Sequence, residues 1–308
     1  EADALLIMNE DNPAPRLLSR PGEAIYNDDG GAIQGNSPFQ VVWLPDDVRE
    51  SWLKKSGEFA KRRHFATKEP IVFEGNAPAN VRDNPMLLAL LNAGAVQPAA
   101  SARIWLGAPN SIKAPTEAVF RRQSGSHLLI VGQREEAALG LLAMALVALA
   151  AQHPKPTARF LVFDGNPPES REARFLEHAV QIIPHGARLV RGGDLAEVMA
   201  GLAADMQRWT DSAAGEAVPA TYLLIHGLQS HRKLRFDEEL SFSMDADAGA
   251  GHPGLLLNKL ICESASAGFH VIGTCDTYNN VMRSLSRKAL SEFEMRVVFQ
   301  MSANDSAS

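Results

Sequence analysis

His127-Leu128-Leu129-Ile130-Val131-Gly132-Gln133-Arg134-Glu135-Glu136-Ala137-Ala138-Leu139 is the stretch on which the fold turns. It opens as a hydrophobic, β-prone run, breaks at one glycine, and passes through a short polar connection into an apolar segment. That segment runs from Ala137 to Ala151, 15 residues of Ala, Leu, Gly, Met and Val. The acidic pair before it and Gln152-His153-Pro154 after it are helix-boundary signals. A helix apolar all round belongs in a core. It also falls short of the roughly 20 residues that a bilayer requires, so no membrane-spanning segment is expected and a cytoplasmic location is.

The same alternation continues outward. Strands are predicted at Arg103–Leu106, His127–Val131, Arg159–Phe163, Tyr222–Ile225, Phe269–Thr274 and Arg296–Met301. Helices are predicted over 135–151, 194–209, 255–266 and about 286–292, with Asp194 and Glu197 as a capping-box-like start. Val/Ile/Leu-rich strands separated by helices imply an α/β fold, a mostly parallel sheet covered by helices on both faces.

Residues 1–48 read differently. Turn signals such as Asn27-Asp28-Asp29-Gly30-Gly31 punctuate short β-prone runs, notably Phe39-Gln40-Val41-Val42-Trp43-Leu44. A hairpin pivoting on Asp29-Gly30-Gly31 is expected. The segment holds too little apolar material for a core of its own. Residues 49–69 carry Arg49, Lys54, Lys55, Lys61, Arg62, Arg63 and Lys68 against Glu50, Glu58 and Glu69, interleaved with Trp52, Phe59 and Phe65. They predict a basic amphipathic linker helix, broken near Ser56-Gly57. Its plain reading is a solvated face, and its sharper one a nucleic-acid or partner surface. A strand at Ile71-Val72-Phe73 follows. Asn84-Pro85 then opens a short helix through about Asn92.

The whole chain has 308 residues, a net charge of −6 and 45% hydrophobic residues. These values exclude a collagen-like or largely disordered chain and a uniformly basic nucleic-acid glove. Cys262 and Cys275 are too few for a disulfide framework or a zinc site, and read as reduced thiols. No metal site is expected: Asp245 and Asp247, in the small polar loop 243–253, lack the remaining ligands of a calcium loop.

A strand, a glycine, a loop and a long helix are the setting of a phosphate-binding loop, where backbone N–H groups and the helix N-terminus meet the anion. The phosphate-loop position covers Gly132, Gln133, Arg134, Glu135, Glu136, Ala137, Ala138 and Leu139. An active loop would need Gly, Lys and Ser or Thr at the last three positions. The chain has two alanines and a leucine, so no ammonium meets phosphate and no hydroxyl meets Mg²⁺. Glu135 and Glu136 put negative charge where phosphate would lie. The strand expected to end in acidic residues, Tyr222–Ile225, ends in His226-Gly227 instead. Asp164, at the end of Phe160–Asp164, is the surviving strand-end carboxylate, though Asp164-Gly165 also reads as a plain turn. No catalytic residue is therefore assigned.

At this point the order of elements resembles an FtsK/SpoIIIE-type (HerA–FtsK superfamily) motor domain. The resemblance is carried by His127–Gly132, Phe160–Asp164, Leu202 through Met206-Gln207-Arg208-Trp209, Leu260–Ser264 with Ala267–Thr274, and Phe293–Ser306. Arg20-Pro21-Gly22-Glu23-Ala24 and Phe39-Gln40-Val41 are similar to the tail of a preceding copy. A short echo supports this: Glu1–Leu5 is similar in register to Ala303–Ala307. The resemblance implies a RecA-like P-loop NTPase fold, with Thr274 kept at the sensor strand and Cys275 in place of its glutamine. It implies three segments: a C-terminal tail of a preceding ATPase domain (1–48), a linker helix and connection (49–100), and a degenerate module (101–308). ATP and magnesium would then belong to the preceding domain, with no cofactor expected for this module. Partners implied are the neighbouring ATPase domain of the same chain, a DNA or protein substrate, and a ring oligomer. Thr274, Arg283 and Arg287 are candidate sensor or basic contacts, and His231-Arg232-Lys233-Leu234-Arg235 a basic cluster. A recognition module of a type VII secretion-like coupling ATPase is the alternative, with Ala137, Ala138 and Leu139 lining a vacated, apolar pocket. The termini lead to the expectation that the chain is a piece of a longer protein.

Overall fold

A computed structural model describes residues 7–66, 79–93, 101–109, 113–211, 218–237 and 251–302. The expected strand at Ile71–Phe73, the echo between the two ends, Asp245 and Asp247, and most of the 243–253 loop lie outside these residues. The chain divides into two compact units, residues 1–71 and 72–308.

The first unit holds an antiparallel hairpin, β1 (Glu23–Asn27) with β2 (Asn36–Gln40), followed by helix α1 (Asp46–Arg62). The β-prone run at 39–44 leaves the strand after Gln40. Three asparagines fasten the turn. Asn27 Oδ1 accepts the Gly31 and Asp29 N–H groups, and Asn36 exchanges amide bonds with fully buried Asn12. Contrary to expectation, α1 is unbroken at Ser56-Gly57. Among the described residues of this unit only Asn12 and Gly31 are buried. Trp43, Trp52 and Phe65 are all exposed, so the described residues of this unit form no apolar core.

The second unit is built on six parallel strands in the order β10-β5-β9-β8-β6-β7. These are β5 (Leu128–Val131), β6 (Ala158–Asp164), β7 (Arg188–Val190), β8 (Ala220–His226), β9 (Phe269–Cys275) and β10 (Met295–Val298). With β7 set aside as an edge addition, the chain order across the sheet is 5-1-4-3-2, the order of a RecA-like P-loop ATPase fold. A separate hairpin, β3 (Ala102–Gly107) with β4 (Thr116–Phe120), completes the strands.

Side chains alternate between the faces of the sheet. Phe160, Val162, Tyr222, Leu224 and Ile272 pack with the helices α2 (Pro85–Asn92), α3 (Glu135–Gln152) and α4 (Arg171–Gln181), and with the β3–β4 hairpin. Leu161, Phe163, Leu223, Ile225 and Val271 pack with α5 (Leu195–Asp211), α6 (Pro253–Glu263), α7 (Tyr278–Ser284) and α8 (Arg287–Ser291). The helix expected over 255–266 is shorter, because a 3-10 turn at Ala265–Ala267 replaces its end, and the last strand stops at Val298. Among the described residues α3 is the one helix long and apolar enough to cross a bilayer. Leu142, Leu146 and Leu149 are fully buried against the sheet, and Gln152 clamps its end to β3 through both the N–H and the C=O of Arg103.

Candidate functional site

In a parallel α/β sheet, ligands sit outside the carboxyl ends of the strands. There β6, β8 and β9 each contribute one polar side chain. Alternation puts Asp164, His226 and Thr274 on the face shared with Val162, Leu224 and Ile272, beneath α3 and α4. Register pairs Asp164 with His226, and the pairing of Ile225 with Gly273 sets Thr274 beside His226. The result is a polar row at one level of the sheet.

Each member is held differently. Asp164 Oδ1 accepts two hydrogen bonds from Asn166, from the backbone N–H at 3.0 Å and from Nδ2 at 2.8 Å. Its Oδ2 lies 3.8 Å from Arg191, which also pairs with Glu177 at 3.6 Å. Thr274 Oγ1 accepts the N–H of Gly227 at 2.8 Å, fixing a left-handed turn with φ of 69°. Only 4% of His226 is exposed, and its Nδ1 has no hydrogen-bond partner among the described residues. Burial lowers the pKa of His226 against the opposing pull of Glu135, Asp164 and Glu172, so the ring is neutral at pH 7. Gly165 is glycine for steric reasons: a Cβ there would stand 2.3 Å from the carbonyl oxygen of His226.

The phosphate-loop position lies at the end of β5. Gly132 adopts a φ of 141°, its N–H donates to the Cys275 carbonyl at 3.0 Å, and a Cβ would meet that of Phe299 at 2.7 Å. The glycine is thus required by packing, whatever binds nearby. Only Gly132, Gln133 and Arg134 connect strand to helix, because α3 begins at Glu135. The Ala138 N–H is already bonded to the Arg134 carbonyl at 2.9 Å. A cradle of the phosphate-binding kind needs several unpaired N–H groups wrapped around the anion. Here Glu135, Glu136 and Ala137 form the first helical turn, which carries two acidic residues.

Several residues sit elsewhere than the sequence suggested. Ala138 and Leu139 are 5% exposed and packed in the core, so they do not line an apolar pocket; Ala137 is exposed. His231 is buried and its pKa is lowered by burial, which removes it from the basic cluster. Arg232, Lys233 and Arg235 are exposed, and Lys233 donates to the Gly192 carbonyl at 3.3 Å. Arg283 and Arg287 are exposed on α7 and α8, which pack on the opposite face of the sheet from His226, and Arg283 bonds Asn280 at 3.3 Å. Burial pushes the Cys275 thiol up to about 12, so it is not a nucleophile at neutral pH.

Sequence reasoning passed over Asn166, Glu172 and Arg191. The readable signal for Glu172 was the N-cap Ser170, whose Oγ accepts the Ala173 N–H at 3.0 Å and starts α4 beside the row.

No protein-family model and no curated protein matches the chain. Among solved structures it is similar to the cytoplasmic domain of the Thermomonospora curvata type VII secretion ATPase EccC. That likeness has a TM-score of 0.48 and 14% identity, over 78% of this chain and 29% of that one. It is also similar to the cytoplasmic domain of EssC, with a TM-score of 0.47 and 15% identity, over 95% of this chain and 54% of that one. A third is the pCW3 conjugation coupling protein TcpA, in a monomer form with ATPγS. There the TM-score is 0.44 and the identity 11%, over 83% of this chain and 72% of that one. This chain therefore spans about a third to a half of the EccC and EssC chains. The strand order gives the second unit its RecA-like P-loop fold.

Proposed function

We propose that residues 101–308 are a catalytically silent P-loop module of an FtsK/SpoIIIE-type translocase, structural or regulatory toward an adjacent active motor domain. The observation that carries this reading is the three-residue connection between β5 and α3, which leaves a helical turn and two carboxylates where phosphate would be wrapped. Absence of the lysine, the hydroxyl and the acids expected at the end of β8 supports it from the side-chain inventory. ATP and magnesium then act in the neighbouring domain, and the module needs neither.

Residues 1–48 fit the tail of a preceding motor domain, since the described part of that unit buries no apolar side chain of its own. The same exposed residues, Trp43 and Trp52 among them, favour the second reading, a partner-recognition module of a type VII secretion-like coupling ATPase. A DNA substrate would engage the exposed Lys54, Lys55, Lys61, Arg62 and Arg63 of α1, and its affinity would fall steeply with salt. Salt-independent retention of DNA would remove that substrate.

Magnesium-dependent ATP turnover by the purified chain tests the main proposal. No release of phosphate above buffer is expected. Turnover that stays with the chain through size exclusion would overturn it.

A further inference from the structure

A cavity of about 390 Å³ opens between β4 and β10. Leu106, Ala118, Leu128 and Met295 line it, and all four belong to or pack against one core cluster, which gives it an apolar floor. Leu128 and Met295 are the first residues of β5 and β10. The cavity therefore lies at the opposite end of the sheet from the phosphate-loop position and is independent of how that loop is read.

Its two walls are strand edges. Among the described residues, β4 pairs with β3 alone and β10 with β5 alone. Gln152 fixes the direction of the β4 backbone, because its side chain takes the Arg103 N–H at 3.0 Å and the Arg103 carbonyl at 2.6 Å. With both groups turned away from β4, Arg103 and Val119 form a non-hydrogen-bonded pair. The N–H and C=O of Val119 then point outward, to the edge that lines the cavity. Two residues on, the Arg121 N–H runs the same way and donates to Ser126 Oγ at 2.8 Å. In β10, the N–H groups of Met295 and Phe299 donate toward β5, to His127 at 3.3 Å and Val131 at 2.9 Å. Alternation turns those of Arg296 and Val298 to the outer edge. The two edges close on Ser126, which also bridges to Phe293 just before β10.

A line of alternating N–H and C=O groups is matched by another extended backbone. The rim carries both signs, Glu117 and Glu294 against Arg121 and Arg296, which does not suit a polyanion. Two of these charges are already engaged, Glu117 with Arg103 at 3.2 Å and Arg296 with the carbonyls of Phe293 at 2.9 Å and Leu290 at 3.3 Å. We propose that the groove receives an extended segment of a protein partner, added as a third strand on the outward edge of β4. Alternate apolar side chains of that segment would rest on Leu106, Ala118, Leu128 and Met295.

The test is a titration of the intact, isotope-labelled chain with the blocked peptide acetyl-Lys-Val-Thr-Val-Thr-Val-Lys-amide, read through the Val119 amide. Its signal should shift saturably, and its hydrogen exchange should slow at least about ten-fold at saturation. Two N-methylated versions of the peptide block alternate sets of its N–H groups. One should bind like the parent and the other at least about ten-fold more weakly, since a single set faces β4. Val119→Pro removes an N–H that makes no bond to β3 and should weaken the parent peptide similarly. The N-methylated pair, used on the unaltered chain, decides even where the proline variant fails to fold. No saturable change at Val119, or equal binding by the two N-methylated peptides, would overturn the proposal. Shifts at Arg296 and Val298 with Val119 unmoved would overturn the choice of β4. Protection of Val119 without peptide, in a chain that sediments as a dimer, would make a second copy the occupant and overturn a partner segment.

Discussion

The two ends of the parallel sheet both bury histidine, and they bury it in opposite ways. At the amino ends of the strands, His127 is fully buried and satisfied at both nitrogens, with Nε2 3.0 Å from the Ile261 carbonyl and Nδ1 accepting the Val271 N–H at 3.0 Å. His270 Nδ1 meets the Ser126 carbonyl at 2.8 Å, and His153 Nε2 meets the Tyr222 hydroxyl at 2.9 Å. Tyr222 stacks on His270 and on Phe160. At the carboxyl ends, His226 is just as enclosed but has an unused Nδ1. Burial of a histidine is therefore no sign of function. What separates the ends is whether the fold itself supplies the partners.

The largest expected effect is steric and falls at the carboxyl end. Gly165→Ala would place a Cβ 2.3 Å from the backbone oxygen of His226 and 3.0 Å from that of Gly227. Neither atom can move without shifting β8, so a loss of about 3 kcal/mol or more is expected in denaturant unfolding. A loss below about 1 kcal/mol would show that the strand ends are looser than described.

Next comes a direct contrast between the two histidines. His127→Leu leaves the Val271 N–H and the Ile261 carbonyl without their partner, and about 3 kcal/mol should be lost. His226→Leu removes a nitrogen that has no partner, and should change stability by less than about 1 kcal/mol in either direction. Equal losses in the two variants would erase the distinction between the ends.

Acid should sharpen it further. Burial lowers both His127 and His270 from 6.5 to about 4, with Glu292 opposing the shift at His127, and with His127, Arg122 and His153 adding to it at His270. The folded state thus binds fewer protons than the unfolded one between these values. Stability is unaffected by these groups above pH 6.5, falls as pH drops from 6.5 toward 4, and levels off below. Together they should lower stability by several kcal/mol across that window, as read from urea midpoints. In His127→Leu the slope should be visibly shallower. An unchanged slope would show that the cluster is not what titrates.

Most of the fold was legible because periodicity reports burial directly. The core strands and α3 are continuous apolar runs, and they appear within a residue or two of their expected positions. Helices α4 and α7 and the strands β4 and β7 were missed. Ser170-Arg171-Glu172 follows a proline- and glycine-rich turn, and β7 has only three residues, so neither gives a long pattern. The unbroken α1 shows the reverse error, since Gly57 in a solvated helix weakens the helix without ending it. The candidate site was legible only as a set of missing residues. Ala137, Ala138 and Leu139 announce what the loop lacks, but not that the helix starts early and turns Ala138 and Leu139 into the core. Nor does His226, read alone, reveal an unpartnered nitrogen, which depends on three strands meeting at one level.

Calorimetric titration of the purified chain with a non-hydrolysable ATP analogue and magnesium bears most directly on the central claim, that the carboxyl end of this sheet no longer accommodates phosphate. The account predicts no saturable heat up to millimolar analogue. Saturable, magnesium-dependent binding in the micromolar range, weakened by His226→Leu, would contradict it.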